Sequence, residues 1–227
     1  MDSSHYFTSP EGPFQRRSLE VQLAGRSVTV STAPGIFSPD GVDKGTRVLL
    51  QEVPDPAQGG HLLDIGCGWG PIALSLAMRA PQATVWAVDV NERARTLCAE
   101  NAAALGLDTV LVLPPEEVPA DLQFSTIWSN PPIRIGKPAL HELLLRWLPR
   151  LAPGGEAWLV VQKNLGADSL QRWLAGQLQE AFTVERAASQ KGFRLLRVAR
   201  HAADGQARSG GTGGQTGAGQ TSGGGQR

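Results

Sequence analysis

The chain has 227 residues, with 21 basic and 21 acidic side chains and so no formal net charge. That length suits one domain with a substantial core, and the even charge balance excludes a broadly cationic surface, so a polyanionic partner would have to be met by a local patch. Arg16, Arg17, Arg134 and Lys137 are candidates for such a patch, although each also reads as an ordinary solvated charge.

The first residues, MDSSHYFTSP, lack the basic and apolar regions of a signal peptide, and no apolar run is long enough to span a bilayer. A soluble, cytoplasmic protein without membrane contact is expected. Cys67 and Cys98 have no Cys or His neighbour at ligand spacing, which predicts neither a metal site nor a disulfide framework.

In chain order, LEVQLAGRSVTVST over 19–32 alternates apolar and polar residues on either side of Gly25-Arg26 and predicts a β-hairpin. The next segment, PGIFSPDGVDKGTRVLLQEV, predicts a loop feeding a helix, with Asp43 as its cap and Val48, Leu49 and Val53 on its buried face. From His61 onward, short apolar runs alternate with helical patterns, the signature of βα units about a parallel sheet. Strands are expected near 62–65, 84–88, 110–113, 126–128, 157–161, 183–187 and 194–198, and helices near 72–80, 92–105, 138–151 and 169–180. The last two strands lack a helix between them, so the α/β sheet should have seven strands, mostly parallel, with an antiparallel last strand. Residues 1–42 are expected to form the hairpin and a covering loop, and 43–203 the main domain. The segment 204–227 contains ten glycines and nothing aliphatic beyond Ala, so it is expected to be disordered.

Two motifs carry chemistry. In LLDIGCGWGPIAL an apolar strand ends at Asp64, and Gly66, Gly68 and Gly70 follow at alternate positions before a helix. Glycines allow the chain to turn sharply and approach a ligand, while the helix start offers free N–H groups at the carboxyl edge of a sheet. The spacing differs from the G-x-G-x-x-G dinucleotide fingerprint, and an acid ahead of the glycines would disfavour a pyrophosphate. The arrangement suits S-adenosylmethionine, with its ammonium and sulfonium charges. The next strand ends at Asp89, placed to accept both hydroxyls of an unphosphorylated ribose.

The second motif, IWSNPPIRIGK, puts Asn130, Pro131 and Pro132 directly after a strand, on the same sheet edge. The prolines hold the chain extended and offer no N–H, so the carbonyls of Asn130 and Pro131 are expected to lack internal partners and to face a guest. The Asn130 side-chain oxygen and a proline carbonyl would orient a conjugated amine and free its lone pair for attack on a sulfonium methyl. Neither a metal nor a strong base is needed.

Candidate cofactor-binding residues are Asp64, Gly66, Cys67, Gly68, Gly70, Asp89 and Val90, with Phe37 and Thr46 contributed from before the core. The catalytic candidates are Asn130, Pro131 and Pro132, and Ile133, Arg134 and Lys137 are candidates for acceptor contact. Glu116 and Glu117 stand where an acid can accept from an adenine amino group, His5, Tyr6 and Phe7 form a small aromatic cluster, and core packing is expected for Trp86, Trp128, Trp147, Trp158 and Trp173.

Taken together, HYF near the start, PGIFSPDGVDKGTRVLL, DIGCGWGPIAL, VDVNERA, NPPIRIGK, LAPGGEAWLVVQKNLGA and KGFRLLRV resemble the small methyltransferase domain of ribosomal RNA guanine-N2 methyltransferases of the small subunit and their stand-alone relatives. The resemblance implies a seven-stranded Rossmann-like methyltransferase sheet, S-adenosylmethionine as cofactor, and guanine of ribosomal RNA, free or in the small ribosomal subunit, as substrate. A monomer is expected. Where many relatives have an aromatic residue after the two prolines, this chain has Ile133, so stacking on a base would fall to Phe37 or Tyr6. The additional amino-terminal methyltransferase-like domain of the two-domain bacterial enzymes is not among these residues. Glutamine-directed protein methylation is the second reading. A nicotinamide oxidoreductase conflicts with the glycine spacing, and a non-catalytic RNA-binding module would show a damaged glycine loop or lack Asn130.

Overall fold

The computed structural model describes residues 14–178 and 180–202. The His5, Tyr6 and Phe7 cluster and the glycine-rich tail lie outside these residues. Strands β1 (Arg17–Leu23) and β2 (Arg26–Thr32) form the expected hairpin, and α1 (Lys44–Glu52) follows, capped by Asp43. The main fold then runs through β3 (His61–Ile65), α2 (Pro71–Arg79), β4 (Thr84–Val88), α3 (Glu92–Ala104), β5 (Val110–Leu113), β6 (Phe124–Ser129), α4 (Lys137–Trp147), β7 (Leu151–Gln162), α5 (Ala167–Gln177), β8 (Phe182–Gln190) and β9 (Phe193–Arg200).

The seven strands from β3 onward form one sheet in the order β5-β4-β3-β6-β7-β9-β8. Strands β3 to β7 are parallel, and β9 runs antiparallel to both neighbours. From β3 the chain first moves outward to β4 and β5, then returns to place β6 on the other side of β3. The connections after β3 and β6 therefore diverge to opposite faces and leave a crevice at their carboxyl ends, where open α/β sheets bind ligands.

Side-chain alternation assigns the faces. Leu63, Ile65 and Ile127 pack beneath α4 and α5 with Leu144, Trp147 and Leu174. Their neighbours Leu62, Trp128 and Trp158 face the other way, beneath α1 and α2 with Leu49, Ile72 and Leu76. Continued past the end of β6, this alternation carries Asn130 to the α1 side. The hairpin packs outside that layer, with Leu23 and Val30 against Leu74 and Leu97 of α2 and α3. Among the described residues, no helix is long and apolar enough to cross a membrane.

Two boundaries depart from expectation. The fourth helix stops at Trp147, and Leu148–Arg150 form a single 3₁₀ turn, so Leu151 begins a strand instead of ending a helix. Pro149 lacks the N–H that a continued α-helix would need. Strand β7 is also longer than the expected core, because its first residues make a bulge: Phe124 pairs with Leu151, but Thr126 pairs with Glu156. At Gly155 an added Cβ would meet the carbonyl oxygens of Ala152 and Phe124 at 2.9 Å, with Ser125 O at 3.1 Å. Backbone cannot yield cheaply there, so Gly155→Ala is expected to destabilise the fold by about 1–3 kcal/mol. At Gly59 an added Cβ meets nothing within 4 Å, and Gly59→Ala should stay within about 0.5 kcal/mol. Urea unfolding of both variants measures this, and equal midpoints would refute the close approach at the bulge.

Candidate active site

The loop between β3 and α2 is held by its own backbone. Gly66 and Cys67 donate to Val88 O at 2.9 and 3.0 Å, and Gly68 donates to Asp89 Oδ2 at 2.9 Å. The glycines have φ of 78°, 55° and 102° at positions 66, 68 and 70, in the left-handed region that side chains disfavour. Gly70 has a second constraint, since an added Cβ would lie 2.9 Å from Cys98 Sγ. It also forms the start of α2 and supplies no side-chain cap; Pro71 has no N–H to offer, and that of Ala73 is taken by Asp64. Cys67 itself is buried, its thiol pushed up by the neighbouring Cys98 thiol and by burial; both cysteines are free.

Asp89 follows β4 at the rim of the crevice. Its Oδ2 holds Gly68, and its Oδ1 accepts from Asn91 N at 2.9 Å. Burial raises its pKa from the ordinary carboxylate value, a shift opposed by these backbone bonds and by Arg95. Each oxygen retains acceptor capacity for a ligand hydroxyl beside its backbone bond. Val90, the next residue, is 42% exposed and forms part of the adjoining wall.

Asp64 is placed differently from a rim residue. It is wholly buried beneath the glycine loop, with Oδ2 accepting from Ala73 N at 3.0 Å and Oδ1 left without a partner. Desolvation raises its pKa well above the usual range, the Ala73 bond opposes the shift, and the nearby Asp89 charge adds to it. Direct contact with a ligand is closed to it, but a buried, half-satisfied carboxylate below the loop is the charge that a cationic ligand above would offset.

On the other side of the crevice, Asn130 is half-buried. Its Nδ2 donates to Asp43 Oδ2 at 2.9 Å and to Thr46 Oγ1 at 3.1 Å. A carboxylate only accepts, so the NH2 group must face Asp43, which leaves Oδ1 as the available acceptor. Thr46, expected at the cofactor, is 2% exposed; it bonds Asn130 and, with Asp43, Cys67 and Gly68, lines a small cavity of about 20 Å³ against the glycine loop. The expectation that both backbone carbonyls lack internal partners is corrected at Pro131, whose oxygen accepts from Ile133 N at 2.8 Å. Pro132, with φ −75° and ψ 77°, is the centre of an inverse γ-turn, a three-residue turn that closes this bond. One lone pair of the Pro131 carbonyl remains, but Asn130 Oδ1 is the freer acceptor.

Two larger cavities meet at this point. The first, of about 250 Å³, has apolar walls from Val90, Ile135 and Leu143, with Asp89, Glu116 and Glu142 as its acids and Arg146 as a cation. Glu117 is exposed and does not line it. The second, of about 320 Å³, is bounded by Phe37, Asn130, Ile133, Arg134, Gln162 and Phe193. Both are lined by Gly66, Asp89 and Pro132, so a ligand in one faces a guest in the other across the glycine loop. The first has the apolar walls and hydroxyl-accepting acid that an adenosine group needs. Together with the orphaned Asp64 oxygen, these acids match the positive charges of S-adenosylmethionine.

Of the remaining expectations, Phe37 is 56% exposed at the mouth of the second cavity, and Lys137 is exposed at the start of α4 but lines neither cavity. Arg16 is paired with Glu100 on α3 at 2.6 Å and takes no part in the crevice. Sequence reading missed Phe193 and Gln162, the paired ends of β9 and β7, whose only signal was their place at strand termini on the site edge. It also missed Asn101 on α3. This buried amide accepts from Ser31 N at 2.6 Å and donates to Ser31 O and Trp69 O at 2.9 Å, joining hairpin to glycine loop. Trp69 in turn donates to Ser38 O at 3.1 Å, anchoring the loop that carries Phe37.

Because the folded pKa of Asp64 is raised, its protonated form favours the fold. That contribution is present below the unfolded Asp value and is lost as pH rises through the folded one. The Tm of the ligand-free protein is expected to fall as pH rises above the ordinary carboxylate range, with Asp64→Asn flattening the slope. Thermal unfolding across pH measures this; an unaltered slope would show that another group is responsible.

The methyltransferase small domain family model matches residues 27–197. Protein YbxB of Bacillus subtilis is 34% identical over 200 residues, covering 86% of this chain and 98% of that protein. Ribosomal RNA small subunit methyltransferase C of Pseudomonas putida is 32% identical over 186 residues, covering 80% of this chain but 54% of its own length. The chain thus spans about half of that enzyme. In structure, it is similar to the Thermus thermophilus 16S rRNA N2 G1207 methyltransferase, solved with AdoMet and guanosine. The TM-score is 0.67 at 24% identity, over 85% of this chain and 52% of that one. The chain belongs to the methyltransferase small domain family.

Proposed function

We propose that this chain methylates the exocyclic N2 amine of a guanine in RNA of the small ribosomal subunit. The observation that carries the reading is Asn130 on the wall of the second cavity, with its amide NH2 engaged by Asp43 and Thr46 so that Oδ1 is its available acceptor. S-adenosylmethionine supplies a methyl group on a sulfonium. The lone pair of a guanine amine is delocalised into its ring, and an acceptor on its N–H bonds is what such a nucleophile lacks. Asn130 Oδ1, with the remaining lone pair of the Pro131 carbonyl, holds the amine with its lone pair directed at the first cavity. Once the nitrogen is methylated and cationic, its proton leaves to solvent without a dedicated base.

The second cavity suits a planar base. Ile133 offers no ring after the prolines, but Phe37 and Phe193 bring aromatic faces to the same space, and Gln162 brings an amide able to meet a base edge. Arg134, exposed on the rim, is available to phosphate. The relatives named as ribosomal RNA small subunit methyltransferases support the choice of RNA. A cytoplasmic site of action follows from that substrate.

The test is transfer of labelled methyl to small ribosomal subunits, free ribosomal RNA and total protein from cells lacking the gene, followed by nucleoside and amino-acid analysis. N2-methylguanosine is expected; methylglutamine would replace this reading with protein methylation, and no label in any pool would overturn it. Asn130→Ala should lose transfer by roughly 100-fold or more while retaining cofactor affinity. Asp89→Ala should instead weaken cofactor binding by about tenfold or more, since it removes hydroxyl acceptors and frees Gly68. Calorimetric titration separates the two, and unchanged affinity in Asp89→Ala would refute its role.

A further inference from the structure

We infer that Asp43 and Thr46 are positioning residues for the transfer step, fixing the Asn130 amide so that its oxygen, and not its NH2, meets the acceptor nitrogen. The inference rests on the reading that Asn130 acts on that nitrogen. An amide can occupy nearly the same volume in either of two orientations, and only one presents an acceptor to the second cavity. Asp43 Oδ2, 2.9 Å from Nδ2, decides between them, and Thr46 Oγ1, 3.1 Å from Nδ2, provides a second acceptor once that orientation is set. In the reversed orientation the amide oxygen would face a carboxylate oxygen with no hydrogen between them, while an NH2 group would turn its donors toward the N–H bonds of the substrate.

The positioning oxygen is itself held. Asp43 Oδ2 accepts from Gly45 N at 2.8 Å and Thr46 N at 3.4 Å, so one atom caps α1 and fixes Asn130. The helix start comes this close because residue 45 is glycine: an added Cβ would lie 3.0 Å from both Asp43 Oδ2 and Phe193 Cε1, and 3.4 Å from Asn130 Nδ2. Asp43 therefore couples the pre-core segment to the acceptor site through a contact between residues 87 apart in sequence.

Capping and positioning can be separated by substitution. Ser caps a helix as well as Asp does but is too short to reach Asn130, and Thr46→Val removes the second acceptor without touching the cap. With small ribosomal subunits from gene-deleted cells as acceptor, Asp43→Ser is expected to lower kcat by about 10- to 100-fold with KM for both substrates little changed. Its Tm should stay near that of the parent, and Asp43→Asn, which keeps an acceptor in reach, should restore most of the rate. In an Asn130→Ala background Asp43→Ser should cost nothing further. An equal loss in that background, or a loss that tracks Tm, would overturn the inference.

A second readout is independent of the substrate. In a ¹⁵N spectrum of the full chain, the Asn130 side-chain NH2, assigned by its disappearance in Asn130→Ala, should exchange slowly with solvent. It should exchange fast in the Asp43→Ser, Thr46→Val double variant. Fast exchange in the parent overturns the inference whatever the acceptor; slow exchange lost in the double variant, with no labelling of ribosomal RNA by the parent, would fail the proposed substrate alone.

Discussion

Burial of both faces of β3 and β6 governs where chemistry can happen. With Leu62 and Leu63, or Ile127 and Trp128, pressed into opposite helical layers, these strands have no exposed surface except their ends. Their carboxyl ends open onto the crevice because the chain leaves β3 toward β4 but returns to place β6 on the opposite side. The parity of side chains along β6 then continues through Ser129 to Asn130, delivering it to the α1 layer. A slip of one residue in this register would send the amide to the α4 layer and leave Asp43 without its partner.

Within that frame, the site is assembled from polar groups that each hold two pieces of chain. Asp89 ties the glycine loop to the start of α3, Asn101 ties the hairpin to the same loop, and Asp43 ties α1 to the end of β6. Buried or half-buried polar groups are costly when unpaired, so arrangements that satisfy all of them are few. At the glycine loop Asp64 departs from this, left with one orphan oxygen. Burial below the loop disfavours its charged form, and a cationic ligand above would offset that cost.

The two cavities differ in their walls. One is walled by apolar side chains with a hydroxyl-accepting acid, and the other by aromatic rings, an amide and a peripheral cation. They share a short boundary of Gly66, Asp89 and Pro132. Glycine on the donor side and proline on the acceptor side suit that boundary for opposite reasons: one admits close approach, and the other removes a competing N–H. The inverse γ-turn at Pro132 takes up one lone pair of the Pro131 carbonyl and leaves the side chain of Asn130 as the principal acceptor.

Elements whose causes are local can be read directly from the order of residues. Strand and helix periodicities, the hairpin at Gly25-Arg26, the Asp43 cap, the glycine loop and the Asn-Pro-Pro turn each depend on residues within a few positions of one another, and they stand near where they were read, the main departures being the end of α4 and the start of β7. Tertiary structure alone decided what those elements do to each other. Thr46 bonds Asn130, Asp64 sits under the loop instead of at its rim, and Phe193 joins Phe37 at the acceptor cavity although 156 positions separate them. The bulge in β7 belongs to the same class, since it follows from how β6 and β7 pair. Local propensity is set by covalent neighbours and is written in the chain order. The partner of a buried polar atom is set by which faces pack together, and that is known only once the sheet has chosen its order.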